Sequence, residues 1–230
     1  MDAANISGET ATKLRMYASL LGDANSRARL TGPSDPNVLF DEHVSDALAG
    51  LPFLDDCESL VDVGTGGGLP GLVWAICRPE ARCTLIDSVR KKADLVREMA
   101  EKLECQNVEV LCGRSEDLAS RFRESFDIAA ARALADSVVL TEYLSPFVRI
   151  GGRLLAFKGP RVEDELDVPA RKWRILGLSA PILRPYSIAG KDRCLVVWEK
   201  VGECPNRYPR RPGMAEKQPW CGTKKQNRGY

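Results

Sequence analysis

The chain has 230 residues, 44% of them apolar and 28% charged, with 33 Lys and Arg against 32 Asp and Glu. Such a chain implies one large folded domain with appendages; it excludes a disordered body and needs no disulfide or metal to fold. The net charge of +1 conceals an asymmetry: residues 203–230 carry seven bases and two acids, net +5, which leaves −4 for the rest.

Leu14, Tyr17, Ala18 and Leu21 share one helical face, as do Val44, Ala47, Leu48 and Leu51. The turn-rich run from Gly32 to Pro36 separates them, so residues 1–55 read as an N-terminal helical segment. From residue 59 strands and helices alternate. Ser59–Val63 is a strand, and Leu69–Cys77 a helix with Pro70 in its first turn. Arg82–Ile86 is a strand closed by Asp87, and Ser88 N-caps a helix carrying Val89, Ala93, Val96, Ala100 and Leu103. Val108–Leu111 and Phe126–Ala131 are further strands, and Val138–Leu144 lies in a helix. A Gly151-Gly152 turn leads into the strand Arg153–Phe157. Ile175–Leu183 and Cys194–Trp198 read as two last strands, an antiparallel hairpin at one sheet edge. This rhythm predicts an α/β fold over residues 56–200, with a mostly parallel, doubly wound sheet. Over residues 201–230, Pro205, Pro209, Pro212 and Pro219 predict a basic tail without regular structure. A basic tail suits a polyanionic partner, or is simply solvated.

The eight cysteines include no Cys-x-x-Cys pair, and His43 is the only histidine, so no local zinc set can be assembled. The thiols inside apolar runs, such as Cys77 and Cys83, read as small hydrophobes. Met1–Asn5 opens no leader pattern, and no window holds 18 consecutive apolar residues. The expectation is a reduced, cytoplasmic, soluble protein without metal or membrane partner, and a monomer.

Glycines follow the first strand directly, in Asp62-Val63-Gly64-Thr65-Gly66-Gly67-Gly68-Leu69-Pro70-Gly71. They let the backbone approach a ligand, and the next helix offers free N–H groups. Gly66-x-Gly68-x-x-Gly71 fits a dinucleotide fingerprint and an NAD-linked oxidoreductase. Asp62-x-Gly64-x-Gly66-x-Gly68 fits the loop of enzymes that use S-adenosylmethionine (SAM). Register favours SAM, because the strand stops at Val63 and the NAD template starts two residues late. A structural turn without ligand is the bland alternative. Asp87, 23 residues after Gly64, suits the two hydroxyls of an adenosine ribose, or else starts the next helix. Glu116 and Asp117 could read an adenine edge, or be ordinary first-turn acids.

These residues resemble the RsmG family, also called GidB, bacterial methyltransferases of guanine N7 in small-subunit (16S) ribosomal RNA. The resemblance rests on the run from Asp62 to Gly71, on Leu85-Ile86-Asp87-Ser88 with Lys91, and on Gly113-Arg114-x-Glu116. It continues through Arg132-Ala133, the stretch from Gly151 to Gly159, and Arg193 leading Leu195-Val196-Val197. Near the end, Tyr208-Pro209-Arg210-Arg211-x-Gly213 with Lys217 and Pro219 belongs to it as well. Upstream, Leu30-Thr31, Asp35-Pro36, His43 and Asp46 match, whereas Arg29 and Glu42 depart from the pattern. The resemblance implies a class I SAM-dependent, Rossmann-like methyltransferase with SAM as cofactor and 16S rRNA or the small ribosomal subunit as partner. Gly64, Leu69, Ser115, Glu116 and Arg132 would then contact SAM, together with Gly66 of the loop, and Asp87 would take the ribose. A non-catalytic SAM- or RNA-binding protein is the remaining alternative.

The residues also bear on the target atom. Asp127-Ile128-Ala129-Ala130-Ala131-Arg132 stands where amine methyltransferases carry Asn/Asp-Pro-Pro-Tyr/Phe, and it offers no cysteine for pyrimidine C5 attack. Guanine N7 needs neither, since its in-plane lone pair is already nucleophilic and positioning carries the catalysis. No catalytic acid or base is therefore assigned, and His43 reads as structural. Arg132 and Lys158 follow two strands on the edge where such sheets bind ligands, so either suits RNA phosphate or the cofactor carboxylate, or is a solvent-exposed charge at a strand end. Arg207, Arg210 and Arg211 around Tyr208 suit phosphate contact and base stacking, and packing of the tail against the body is equally consistent.

Overall fold

The computed structural model describes residues 6–222; the Met1–Asn5 segment and the basic residues Lys224, Lys225 and Arg228 lie outside them. The strands are β1 (Ser59–Val63), β2 (Arg82–Asp87), β3 (Val108–Cys112), β4 (Phe126–Arg132), β5 (Val148–Lys158), β6 (Ile182–Ile188) and β7 (Lys191–Glu199). They form one sheet in the order β3-β2-β1-β4-β5-β7-β6. β1 to β5 run parallel, and β7 is antiparallel to both β5 and β6. The helices are α1 (Gly8–Arg27), α2 (Pro36–Val38), α3 (Ser45–Leu48), α4 (Gly71–Cys77), α5 (Arg90–Lys102), α6 (Ser115–Leu118), α7 (Ser137–Leu144) and α8 (Met214–Lys217).

Successive side chains of a strand face opposite ways, so each central strand feeds two cores. Leu60, Ile128, Ala130, Leu155 and Leu195 join the apolar cluster that α1, α4 and α5 complete. Val61, Ala129, Leu154, Val196 and Trp198 join the cluster on the face covered by α7. Burial on both faces is why these strands read as nearly continuous apolar runs. The N-terminal segment belongs to the first core. Ser7 caps α1 by accepting from the Thr10 amide, and Leu14, Tyr17, Ala18 and Leu21 are buried as their spacing predicts. Trp74 of α4 is fully buried and donates its indole N–H to the Ala47 carbonyl at 2.8 Å.

The alternating α/β pattern and the antiparallel edge hairpin are both present. β6 and β7 turn at Ala189 and Gly190, whose φ angles of 48° and 70° suit a tight hairpin. Several expectations are corrected. The run expected as the strand Ile175–Leu183 is 3-10 helical from Ala170 to Leu176, and the strand begins only at Ile182. Trp173 and Leu176, three apart, bury one face of that turn, and Gly177 ends it at φ 71°. Gly151-Gly152 is not a turn before β5 but an irregularity inside it, where pairing with β4 shifts register. α4 starts at Gly71, two residues later than expected. Ser88 does not cap α5; Asp87 Oδ1 accepts the Val89 amide instead, at 2.9 Å. The tail is not wholly irregular, since α8 supplies one helical turn.

Candidate active site

The loop after β1 hangs from its neighbour strand, with the Gly64 and Thr65 amides donating to the Ile86 carbonyl at 2.8 and 3.0 Å. Beneath the loop, Asp62 is fully buried and its Oδ2 accepts from the Thr65 hydroxyl at 2.6 Å and the Gly71 amide at 2.9 Å. Its Oδ1 has no hydrogen-bond partner. Burial pushes this carboxyl up to about 6, against the pull of the Thr65 and Gly71 hydrogen bonds. Asp87, at the end of β2, accepts from the Gly66 amide through Oδ2 at 2.9 Å. One carboxylate therefore ties the glycine loop to the start of α5.

A cavity of about 790 Å³ opens at the carboxyl ends of the parallel strands, where the chain order reverses between β1 and β4. Ligands bind such sheets at this reversal. Gly64–Gly67 and Leu69 form one end of the cavity, and Arg132, Lys158 and Arg193 follow along the sheet edge. At Gly66 an added Cβ would meet only the Leu30 and Gly64 carbonyls, at 3.6 and 3.9 Å, so the loop backbone there faces open space. Gly64 is constrained differently: its φ is 71°, and a Cβ would lie 2.5 Å from Leu134 Cδ1. Ala133, also on the wall, holds φ 53°, a strained value for a residue with a side chain.

The N-terminal segment closes the cavity. Asn25 Oδ1 accepts the Leu30 and Thr31 amides at 2.7 and 3.0 Å and shapes the turn that brings Leu30, Thr31 and Gly32 to the wall. His43 stands beside Thr31, with Nε2 3.1 Å from Oγ1. Burial, with the Arg132 guanidinium nearby, holds its imidazole below the ordinary value. Asp46, only 5% exposed, gathers three groups: Arg132 at 3.1 Å, the Tyr186 hydroxyl at 2.6 Å and Arg193 at 4.0 Å. Glu42, one of the two departures from the resembled pattern, pairs with Lys191 of β7 at 2.6 Å.

Of the expected site residues, Gly64, Gly66, Leu69, Arg132 and Lys158 line this cavity together. Lys158 is held at 2.7 Å by Glu165 and also donates to the Ala135 carbonyl. Asp87, Ser115 and Glu116 do not line it; Asp87 is buried at the end of β2 and Ser115 at the start of α6, and the Ser115 hydroxyl donates to Glu116. Arg207 and Arg211 are exposed on the tail. Arg210 is not a free surface cation, because its guanidinium forms two bonds, at 2.9 and 2.6 Å, to the fully buried Glu142. Sequence reasoning missed Lys92, Glu165 and Tyr186. Only Lys92 carried a local signal, as a cation in the first turn of a helix, where an acid is the favourable choice. Among the described residues no group of three or more His, Cys, Asp or Glu could hold a metal ion, and no helix is long and apolar enough to cross a membrane. Cys57, Cys77, Cys83, Cys105, Cys112, Cys194 and Cys204 are free thiols.

The GidB family model, described as rRNA small subunit methyltransferase G, matches residues 10–186. The chain is 38% identical to ribosomal RNA small subunit methyltransferase G of Moorella thermoacetica, covering 92% of this chain and 90% of that one. It is 39% identical to the protein of the same name from Pelotomaculum thermopropionicum, covering 88% and 87%. Among solved structures, cofactor-bound Rv0187 from MTB aligns with TM-score 0.59 at 16% identity, over 83% of this chain and 90% of that one. The O-methyltransferase TomG of Streptomyces achromogenes, in complex with SAM, aligns with TM-score 0.56 at 15% identity, over 81% and 90%. At such identities the likeness is one of fold, and it is the class I methyltransferase fold.

Proposed function

This chain belongs to the GidB family, rRNA small subunit methyltransferase G, and from that premise we propose that it methylates guanine N7 in 16S ribosomal RNA with SAM as the donor. The observation that carries the reading is the cavity itself, bounded by the glycine loop at one end and by Arg132, Lys158 and Arg193 along the sheet edge. Family membership sets aside the NAD-linked and non-catalytic readings.

The residues present fit SAM. The orphaned, buried Oδ1 of Asp62 behind the loop suits the ammonium of a methionine group, reached directly or through water. The open backbone at Gly66 leaves space for the nucleoside. Gly64, Gly66 and Leu69 would support the cofactor in the cavity and Arg132 would pair with its carboxylate, while Asp87, Ser115 and Glu116, outside the cavity lining, would take the ribose and the adenine beyond the glycine-loop end. When bound, SAM supplies an electrophilic methyl group on a sulfonium centre.

What the chain contributes is position and charge. Asp46 and Tyr186 fix Arg132 at the cavity wall, and Glu165 and Ala135 fix Lys158. Guanine N7 carries no proton in need of a base, so these groups orient the base and the neighbouring phosphates. Lys158, Arg207 and Arg211 are the RNA contacts in this reading, with Arg210 reserved for Glu142. We keep three parts: residues 1–55 as an N-terminal segment whose Leu30, Thr31, His43 and Asp46 wall the cavity, residues 56–200 as the methyltransferase domain, and residues 201–230 as the tail. The protein would act in the cytoplasm as a monomer. Calorimetry with SAM, its demethylated product and NAD tests the cofactor assignment; tighter binding of NAD than of SAM would overturn it.

A further inference from the structure

A groove of about 430 Å³ adjoins the cavity. Arg193 lines both, and the chain passes from one to the other between Gly159 and Pro160. Tyr186 lines the groove while its hydroxyl donates to Asp46 on the cavity wall. The pairing of Lys158 with Cys194 and of Tyr186 with Arg193 sets these residues level across β5, β7 and β6. The two spaces therefore run in line along the carboxyl edge of the parallel strands, the cavity from β1 to β7 and the groove from β7 to β6.

The groove is dressed for a planar, polar-edged group. Leu183 and Pro185, side chains of one face of β6, offer apolar surface against which a base can stack. The Glu163 and Asp192 carboxylates can only accept hydrogen bonds, so they select a partner that donates. Arg193, shared by the two spaces, stands where one phosphate would join their occupants. Single-stranded RNA can splay successive bases into separate pockets in this way. We infer that the groove takes the nucleobase adjacent to the target guanine, unstacked from single-stranded RNA.

This inference rests on the RNA methyltransferase reading, and its test is arranged to fail separately. Wild-type protein is first assayed for SAM binding and for methylation of small ribosomal subunits that lack the modification; failure there removes the underlying reading before any variant is measured. Leu183→Asp then places a carboxylate against the stacked base and should raise KM for the subunits about tenfold, with KM for SAM unchanged. Ile182→Asp is the comparison, because Ile182 is 40% exposed, does not line the groove and points to the opposite face of the same strand. It should leave both constants unchanged. An equal effect of the two substitutions, or none from Leu183→Asp, overturns the proposal. Competitors test the second base site independently: GpA should inhibit several-fold more tightly than guanosine monophosphate, an advantage lost in Leu183→Asp, and equal inhibition of the wild-type protein by the two contradicts the proposal.

Discussion

The Tyr17 hydroxyl donates to the Gly67 carbonyl at 2.9 Å, joining α1 to the glycine loop across 50 residues of sequence. Tyr17 is fully buried, and burial raises its phenol far above the ordinary value, so it stays a neutral donor. Removing the hydroxyl leaves a buried carbonyl unsatisfied, which costs about 1–3 kcal/mol. Tyr17→Phe should raise KM for SAM several-fold while kcat at saturating SAM holds. Tyr143→Phe removes a comparable bond, to Glu216, from a residue that does not line the cavity, and should leave KM for SAM unchanged. Matching effects in the two variants would make the Tyr17 bond merely structural.

Asp87→Ala is expected to weaken SAM binding at least tenfold, since a hydrogen bond to a charged group is worth about 1.5–3 kcal/mol. The substitution also frees the Gly66 and Val89 amides, so the melting temperature should fall as well. Calorimetry together with melting separates the two effects. A lower melting temperature with unchanged SAM affinity would confine Asp87 to bracing the loop and α5.

Much of this was readable from local pattern. β1, β2, β4 and β5 announce themselves as largely apolar runs closed by glycine or a charged residue, because central parallel strands are buried on both faces. The glycine loop was readable because its spacing follows from the tight turn itself. The contacts that complete the site are long-range: Tyr186 reaches Asp46 across 140 residues and Arg210 reaches Glu142 across 68, and no short window encodes either. The misread segments share a cause too. Trp173 and Leu176 are apolar enough for a strand, but their spacing of three belongs to a 3-10 turn that packs onto the second core.

Arg210 and its neighbours on the tail should behave differently. Arg210→Gln strips the partner from a fully buried carboxylate, and breaking such a pair costs roughly 3 kcal/mol of stability. The double substitution Arg207→Gln with Arg211→Gln touches exposed side chains and should leave melting unchanged. If both contact phosphate in single-stranded RNA, log K against log salt flattens by about 1.4. An unchanged slope would move the RNA footprint to Lys158 and the cavity rim.

Asp62 gives the ligand-free protein a pH signature. Its folded carboxyl titrates at about 6 against 3.8 unfolded, because burial favours the neutral form. A raised folded value means the contribution is complete below pH 3.8 and is lost as pH rises through about 6. Over that window the wild-type protein should lose about 3 kcal/mol relative to Asp62→Asn. Denaturant titrations of both proteins at pH 4, 5, 6 and 7 check this; parallel curves would mean the carboxyl titrates normally.

The central claim is tested most directly by incubating the purified protein with methyl-labelled SAM and small ribosomal subunits that lack the modification, then mapping the label in the RNA. Stoichiometric transfer to N7 of one guanine in the small-subunit RNA is expected, slowed by Asp87→Ala at limiting SAM. Label on an exocyclic amine, on a ribose or on protein, or no transfer by a protein that binds SAM, would contradict it.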